Sequence, residues 1–563
     1  MDIQRTILIG ALAVISYMMV LQWNQDYSEV PEATHVTSVS SQSAAPEITT
    51  PSGLDNDQST DIPIPSISDQ PVDTTLTPQV KADESGLVRV TTDVLNLLID
   101  PYGGDIIHAE LNDYLAQLGA EQKFVLLEQN DNRTYIAQSG LTGQNGPDGK
   151  QRPRYQVSDA EFSLQEGQDQ LQVDLTLTQE NGAEVTKRFT FTRGDYRIAI
   201  DYLINNKSQQ PWQASLFGQI KRDRTEDPSS QTSMGMKSYL GPAFSSKENT
   251  YSKFSFDDID DGKYAAKAQG GWVAMLQHYF VSAWVPNPEA SHNYFAREHN
   301  GSYFAGFVSP ALSLAAGESG STGATIYVGP KIQKILEEAS PNLELTVDFG
   351  WLWWIALPLF LALDFIQDIV INWGVAIILV TLCVKALFYP LSAKAYTSMA
   401  KMRNVGPHLA RLKELYGDDR QKMSQAMMEL YKKEKINPLG GCLPMLIQMP
   451  VFIALYWVLL ESVELRQAPF MLWIHDMSAM DPYFILPIMM GATMFIQQTL
   501  NPTPPDPMQA KVMKLLPFVF TFFFLWFPAG LVLYWVVNNS LSIVQQALIT
   551  RRIEAAAALE NKT

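Results

Sequence analysis

The chain has 563 residues, 46% of them hydrophobic, and a formal net charge of -18. The charge is unevenly spread: residues 23–345 carry 43 Asp and Glu against 23 Lys and Arg and the remainder is slightly basic, which makes nucleic acid an unsuitable partner for the acidic segment. The cysteines, Cys383 and Cys442, fall in or beside apolar runs, which excludes a disulfide framework and a cysteine-based zinc site.

Residues 1–23 hold Arg5 and then an apolar run over 6–22, with no small-x-small cleavage site after it and no lipidation cysteine. They read as an uncleaved anchor with a cytoplasmic N-terminus. Residues 24–85 are rich in Ser, Thr, Pro, Asp and Gln, too polar for burial to offset the entropy of ordering, and are expected to form a disordered tether. Residues 86–345 change character. The stretch LQVDLTLTQENGAEVTKRFTF alternates with period two on both sides of Asn181-Gly182, the pair that a two-residue hairpin turn favours. Many such short runs predict a large antiparallel β-sandwich outside the cytoplasm, since one span separates it from the N-terminus. Its histidines, His108, His278, His292 and His299, sit in no metal or nucleophile spacing. A structural or interaction role is expected for it, without enzyme activity, cofactor or metal.

Residues 346–371 are long enough to cross a bilayer but carry Pro358, Asp364 and Asp368, with Trp351, Trp353 and Trp354 near the start. If this segment spanned, the basic loop that follows would land outside, so it is expected to lie on the outer interface as an amphipathic helix. Residues 372–393 form a span with Lys385 inside it. At about 1.5 Å per residue the lysine lies roughly 18 Å into a hydrocarbon core about 30 Å thick. A cation there costs on the order of 3 kcal/mol or more unless water or a partner relieves it, which marks Lys385 as a site residue. Snorkelling toward the far headgroups is the alternative, although the level of Lys394 is roughly 13 Å away, about twice a lysine stem.

The loop 394–440, with ten Lys and Arg, reads as a cytoplasmic helical hairpin facing anionic lipid. Gly417 ends its first helix, Asp418 or Asp419 caps the second, and Pro438, Gly440 and Gly441 stop it. Met423, Met427 and Leu430 share one face, which either packs the hairpin or offers varied apolar segments an adaptable surface. Residues 441–550 hold four more spans, near 442–461, 483–500, 513–528 and 530–549, and residues 551–563 form a short cytoplasmic tail. The fold class is therefore a multi-pass α-helical membrane protein of six spans, with both termini cytoplasmic.

Polar residues inside the spans favour one leaflet. Thr381, Lys385 and Ser392, then Gln448, then Gln497 and Gln498, then Asn538, Asn539, Ser542, Gln545 and Gln546 all fall toward the cytoplasmic side, while outer halves such as WGVAIILV and FTFFFLWF offer almost nothing polar. Each amide singly could be interhelical glue. Together they suggest a groove open to the cytoplasm and closed outside, which suits passage of a client's polar part with no bond made or broken. A small-solute or ion transporter would need polar lining on the outer side as well; it stays as an alternative, as does a periplasmic assembly factor acting through the β domain.

The segments NPLGGCLPMLIQMPVFIALYWVL, ESVELRQAPFMLWIHDMSAMDPYFILPI, NPTPPDPMQAK and LWFPAGLVLYWVVNNSLSIVQQ resemble the membrane core of the YidC/Oxa1/Alb3 insertases, and the layout is similar to the Gram-negative type. The resemblance implies insertion and folding of nascent inner-membrane proteins, alone or beside the SecYEG translocon, and a mutarotase-like super-sandwich for the periplasmic domain. It puts the groove charge on Lys385 and client contacts on Thr381 and Trp535. Lysine stands where relatives usually carry arginine, which loses a bidentate fork, and Trp535 where close relatives carry tyrosine. The tail ALENKT lacks the basic run that many members end with, so a ribosome contact stays open but without that support.

Overall fold

A computed structural model describes residues 61–63, 86–149, 151–230, 238–262, 264–416, 419–434, 443–501 and 507–560. The N-terminal anchor, most of the tether, Gly417, Asp418, Pro438, Gly440, Gly441, Cys442 and the last tail residues lie outside these. Between Val88 and Pro330 a ten-stranded and a nine-stranded sheet pack face to face. In Glu184–Thr192 buried and half-buried residues alternate, as the two faces of a strand require. The pairing is antiparallel except where Val88–Thr91 runs parallel to Glu161–Ser163.

The hairpin expected at Asn181-Gly182 forms, with a loop one residue longer. Gln179 N–H donates to Ala183 O at 2.8 Å and Gly182 N–H to Gln179 O at 2.9 Å, which encloses Glu180, Asn181 and Gly182. Gly182 has φ 87°, the left-handed position that closes a three-residue loop and favours glycine.

Short helices α1 (Phe256–Asp261) and α2 (Gln333–Ala339) belong to the sandwich. The helical half comprises α3 (Trp353–Val370), α4 (Trp373–Leu387), α5 (Tyr389–Asn404), α6 (Gly406–Tyr416), α7 (Arg420–Lys433), α8 (Leu443–Glu461), α9 (Ile485–Leu500), α10 (Pro507–Phe523) and α11 (Ala529–Glu560). Asn372 caps α4, its side chain accepting from Val375 N–H at 3.0 Å, which meets one of the donors a helix start leaves open. The span expected to run through 372–393 is broken at Phe388, where α4 and α5 meet at 68°. Pro390 explains the break: it lacks the N–H that would continue the α4 ladder and its ring clashes with the carbonyl four residues back, whereas in the first turn of α5 it is tolerated. Residues 394–404 accordingly belong to α5, which rests on α11 with Ala395, Tyr396, Met399 and Ala400 buried. The hairpin is thus α6 and α7 alone, with Asp419 as the cap, accepting from Lys422 N–H at 3.1 Å.

Among the described residues Gly350–Val370 is long and apolar enough to cross a membrane on its own and the bent α4 and α5 pair makes a second candidate, while Gln448–Glu461 and Ile485–Leu500 are shorter apolar helices. The count of six spans is not reached on that measure. The segment expected at the interface is the one that meets it best, and its Trp353, Trp354, Phe365 and Ile369 are exposed.

Tether and interfacial helix do not keep the two halves apart, as their order in the sequence suggests. The sandwich rests directly on the end of α8. Lys331 Nζ lies 3.1 Å from Glu461 Oε2, with the two side chains 4% and 6% exposed, and Ser238 Oγ donates to Glu461 Oε1 at 2.8 Å. His278 Nε2 is 2.8 Å from Leu460 O. Arg466 donates to Leu115 O at 2.7 Å and Ala116 O at 3.1 Å, with its guanidinium 5.5 Å from the ring centres of Phe124 and Phe280. Removing one partner of a buried pair strands the other. Glu461→Ala should destabilise the folded chain by about 3–5 kcal/mol, whereas Lys331→Met with Glu461→Leu should be nearly neutral; thermal unfolding in detergent compares them.

Glu464, half-buried in the turn after α8, has its carboxyl pushed up to about 7, by burial first and then by Asp364. Between its unfolded value and about 7 the folded chain holds the extra proton, so stability falls as pH rises through that window. The thermal midpoint should therefore drop from pH 5 to pH 7.5, and Glu464→Gln should remove that part of the slope.

Candidate functional site

Lys385 sits in the last turn of α4, where the carbonyl-rich end of the helix favours a cation. Its ammonium donates to Ser542 Oγ of α11 at 2.7 Å and to Gln448 Oε1 of α8 at 3.4 Å. Gln448 Nε2 in turn donates to Asn538 Oδ1 and, at 3.4 Å, to Tyr534 OH. Ser542 Oγ donates to Asn538 O at 2.8 Å and is also bonded by Tyr396 of α5. Among the described residues no carboxylate forms an ion pair with Lys385, so the charge stays uncompensated while its donors are met by neutral oxygens.

Four residues singled out from the sequence, Lys385, Gln448, Asn538 and Ser542, are thus one connected cluster. Tyr534 and Tyr396 join it without having been expected. Tyr534 could have been found: Tyr534, Asn538 and Ser542 repeat at four-residue spacing, one face of a helix. Thr381 lies one turn before Lys385 but turns its hydroxyl onto its own helix, donating to Ile377 O at 2.6 Å. Trp535 points elsewhere. Its ring packs on Phe452 at 5.0 Å and Phe524 at 5.8 Å, and its buried Nε1 has no partner among the described residues. Met423 and Met427 are half-buried on α7, and Met428 is the exposed methionine there.

Other amides hold helices together. Asn539 donates to Thr493 Oγ1 at 3.5 Å, and Gln546 to Leu500 O at 3.2 Å and Asn501 Oδ1 at 3.1 Å. What remains open beside the lysine is a small cleft of about 20 Å³ bounded by Val384, Lys385, Phe388, Leu391, Ser392, Gln448 and Val451, space for about one water.

A half-buried cation with only neutral partners costs the fold, and the bonds it donates soften that cost. Lys385→Met should therefore raise the thermal midpoint in detergent. Ser542→Ala should lower it, since a hydrogen bond to a charged group contributes about 1.5–3 kcal/mol.

The sequence profile of the YidC periplasmic domain matches residues 87–362, and that of the 60Kd inner membrane protein matches residues 365–556. Over 563 residues the chain is 57% identical to the membrane protein insertase YidC of Pseudomonas fluorescens (strain SBW25), covering 99% of both. The chain belongs to the YidC family. It is also 56% identical to the membrane protein insertase YidC of Stutzerimonas stutzeri (strain A1501), over 99% of this chain and 100% of that one. A crystal structure of an active YidC insertase with its first transmembrane domain resolved aligns at 18% identity and TM-score 0.37, covering 83% of this chain and 92% of that one. Within the YidC family, then, the sandwich corresponds to the periplasmic domain, and the helices that carry the Lys385 cluster correspond to the inner membrane protein.

Proposed function

We propose that the chain is a membrane protein insertase of the inner membrane, acting on nascent membrane proteins through the site around Lys385. The observation that carries this reading is an ammonium inside an apolar helical bundle, hydrogen-bonded to Ser542 and Gln448 and without a counter-charge among the described residues. Relatives that match over the whole chain are named membrane protein insertases. A free positive charge attracts an acidic client segment more strongly in a low-dielectric site than in water. The hydroxyls and amides beside it can exchange partners with the client's backbone as the apolar part moves out into lipid.

The topology that accompanies this function has six spans, both termini in the cytoplasm and the β domain in the periplasm, with α3 lying at the outer interface on the charge-bias argument. Helix α11, with 32 residues, is roughly 48 Å long and would carry Arg551 and Arg552 to the cytoplasmic headgroups. Hairpin α6 and α7 would meet the client first, with lipid headgroups and the SecYEG translocon as further partners. No chemical step is needed, so the reading is of a non-enzymatic insertase. The nearly complete lack of polar residues in the outer halves of the apolar runs weighs against transport of a small solute, which needs polar lining on both sides.

Two experiments in cells depleted of the native protein test this. Lys385→Arg should keep insertion, and Lys385→Glu should reduce insertion of clients with acidic translocated tails at least tenfold; normal insertion by Lys385→Glu would remove the electrostatic part. Deleting 406–433, which spares the part of α5 that packs on α11, should block insertion while the protease pattern of the remaining helices stays unchanged. Photocrosslinkers at positions 381, 385 and 535 should report the client near 385, and least at 535, where the ring packs among phenylalanines.

A further inference from the structure

A short piece of the tether lies on the sandwich. On the strand Trp212–Arg222, Leu216 and Ile220 enter the core between the sheets, so Phe217, Gln219 and Lys221 point to the outer face of the ten-stranded sheet. Phe217, Phe295, Phe304 and Val308 form a separate buried cluster there, and the residue that completes it is Ile62, only 7% exposed.

The preceding residue is held by its side chain and its backbone together. Lys221 Nζ lies 2.6 Å from Asp61 Oδ2, while Asp61 O accepts from Gln219 Nε2 at 2.8 Å and Arg297 Nη2 at 2.9 Å. Gln219 is itself 1% exposed and fixed by a second bond to Gln138 Oε1 at 3.0 Å. Gly306 lies on the same face, and a Cβ there would come within 2.8 Å of the Phe295 ring, so its bare backbone lets that ring lie close over the sheet. Pro63 has no N–H to satisfy and holds an extended backbone. A carboxylate clamp, a carbonyl clamp and an apolar socket in a row read three consecutive features of an extended peptide.

We propose that this outer face is a peptide-binding groove for extended segments in which an acidic residue is followed by an aliphatic one, and that the chain's own Asp61–Ile62 is its resident occupant. The groove recognises charge at one position and shape at the next, so it selects sequence. Because occupant and groove share a chain, the tether's local concentration is on the order of millimolar, and the groove is closed to weaker segments supplied from outside. This assignment is independent of the insertase reading.

The test uses the full chain in detergent and a fluorescent peptide of residues 57–68. The variant Ile62→Asp, which empties the socket, should bind the peptide at least tenfold more tightly than the native chain, and adding Lys221→Glu should abolish that binding. Equal binding by Ile62→Asp and the native chain, or no binding by Ile62→Asp, overturns the proposal. A photoreactive side chain in place of Ile62, with the groove unaltered, should label 212–222 or 291–314 of its own chain. Labelling elsewhere, or between chains, would equally overturn it.

Discussion

An ammonium group inside an apolar bundle has to be solvated by the protein that holds it, and the helical half of this chain is arranged around that requirement. Lys385 comes from the end of α4, its partners Ser542 and Gln448 from α11 and α8, and Tyr396, which bonds Ser542, from α5. The bend at Phe388 helps make this possible. A straight continuation of α4 would not fold α5 back against α11, and the bend lets α4 finish at the lysine with its carbonyl end close by.

Three buried or half-buried lysines show three ways of keeping a cation out of water. Lys331 is matched by Glu461, a fixed pair that joins the sandwich to α8. Lys187 is surrounded by the carbonyls of Gly103, Gly104 and Ser139 at 2.8–3.1 Å, which take up its three N–H donors, while burial pushes it down to about 7. Lys385 has neutral hydroxyl and amide partners only, and a cleft on one side. Of the three it alone combines neutral partners with an open side.

The β domain also differs from a passive appendage. It is seated on the end of α8 through Glu461, Leu460 and Arg466, and through Asp61 and Ile62 it holds part of its own tether. The first contact limits where the domain can go relative to the helices. An acidic domain that carries basic sockets such as Lys221 and Arg297 can therefore be selective for acidic segments in spite of its overall sign.

Much of this was legible in the sequence because its signals are local. Period-two alternation marked the sandwich, long apolar runs marked α8, α9 and α11, and a lysine within such a run, with amides and hydroxyls on the same side of the others, marked residues that the fold brings into one cluster. Pro390 was visible too, but whether a proline bends a helix or merely ends it depends on what the following segment can pack against, and that is α11. Which neighbours share a face across helices is decided by their rotation about their own axes, so Tyr534 joined the cluster while Trp535 turned to Phe452 and Phe524. The contacts between distant parts, Lys331 with Glu461 and Asp61 with Lys221, join residues 130 and 160 positions apart. No spacing rule reaches that far; only the folded sheets and helices, which bring those positions together and remove them from water, could decide them.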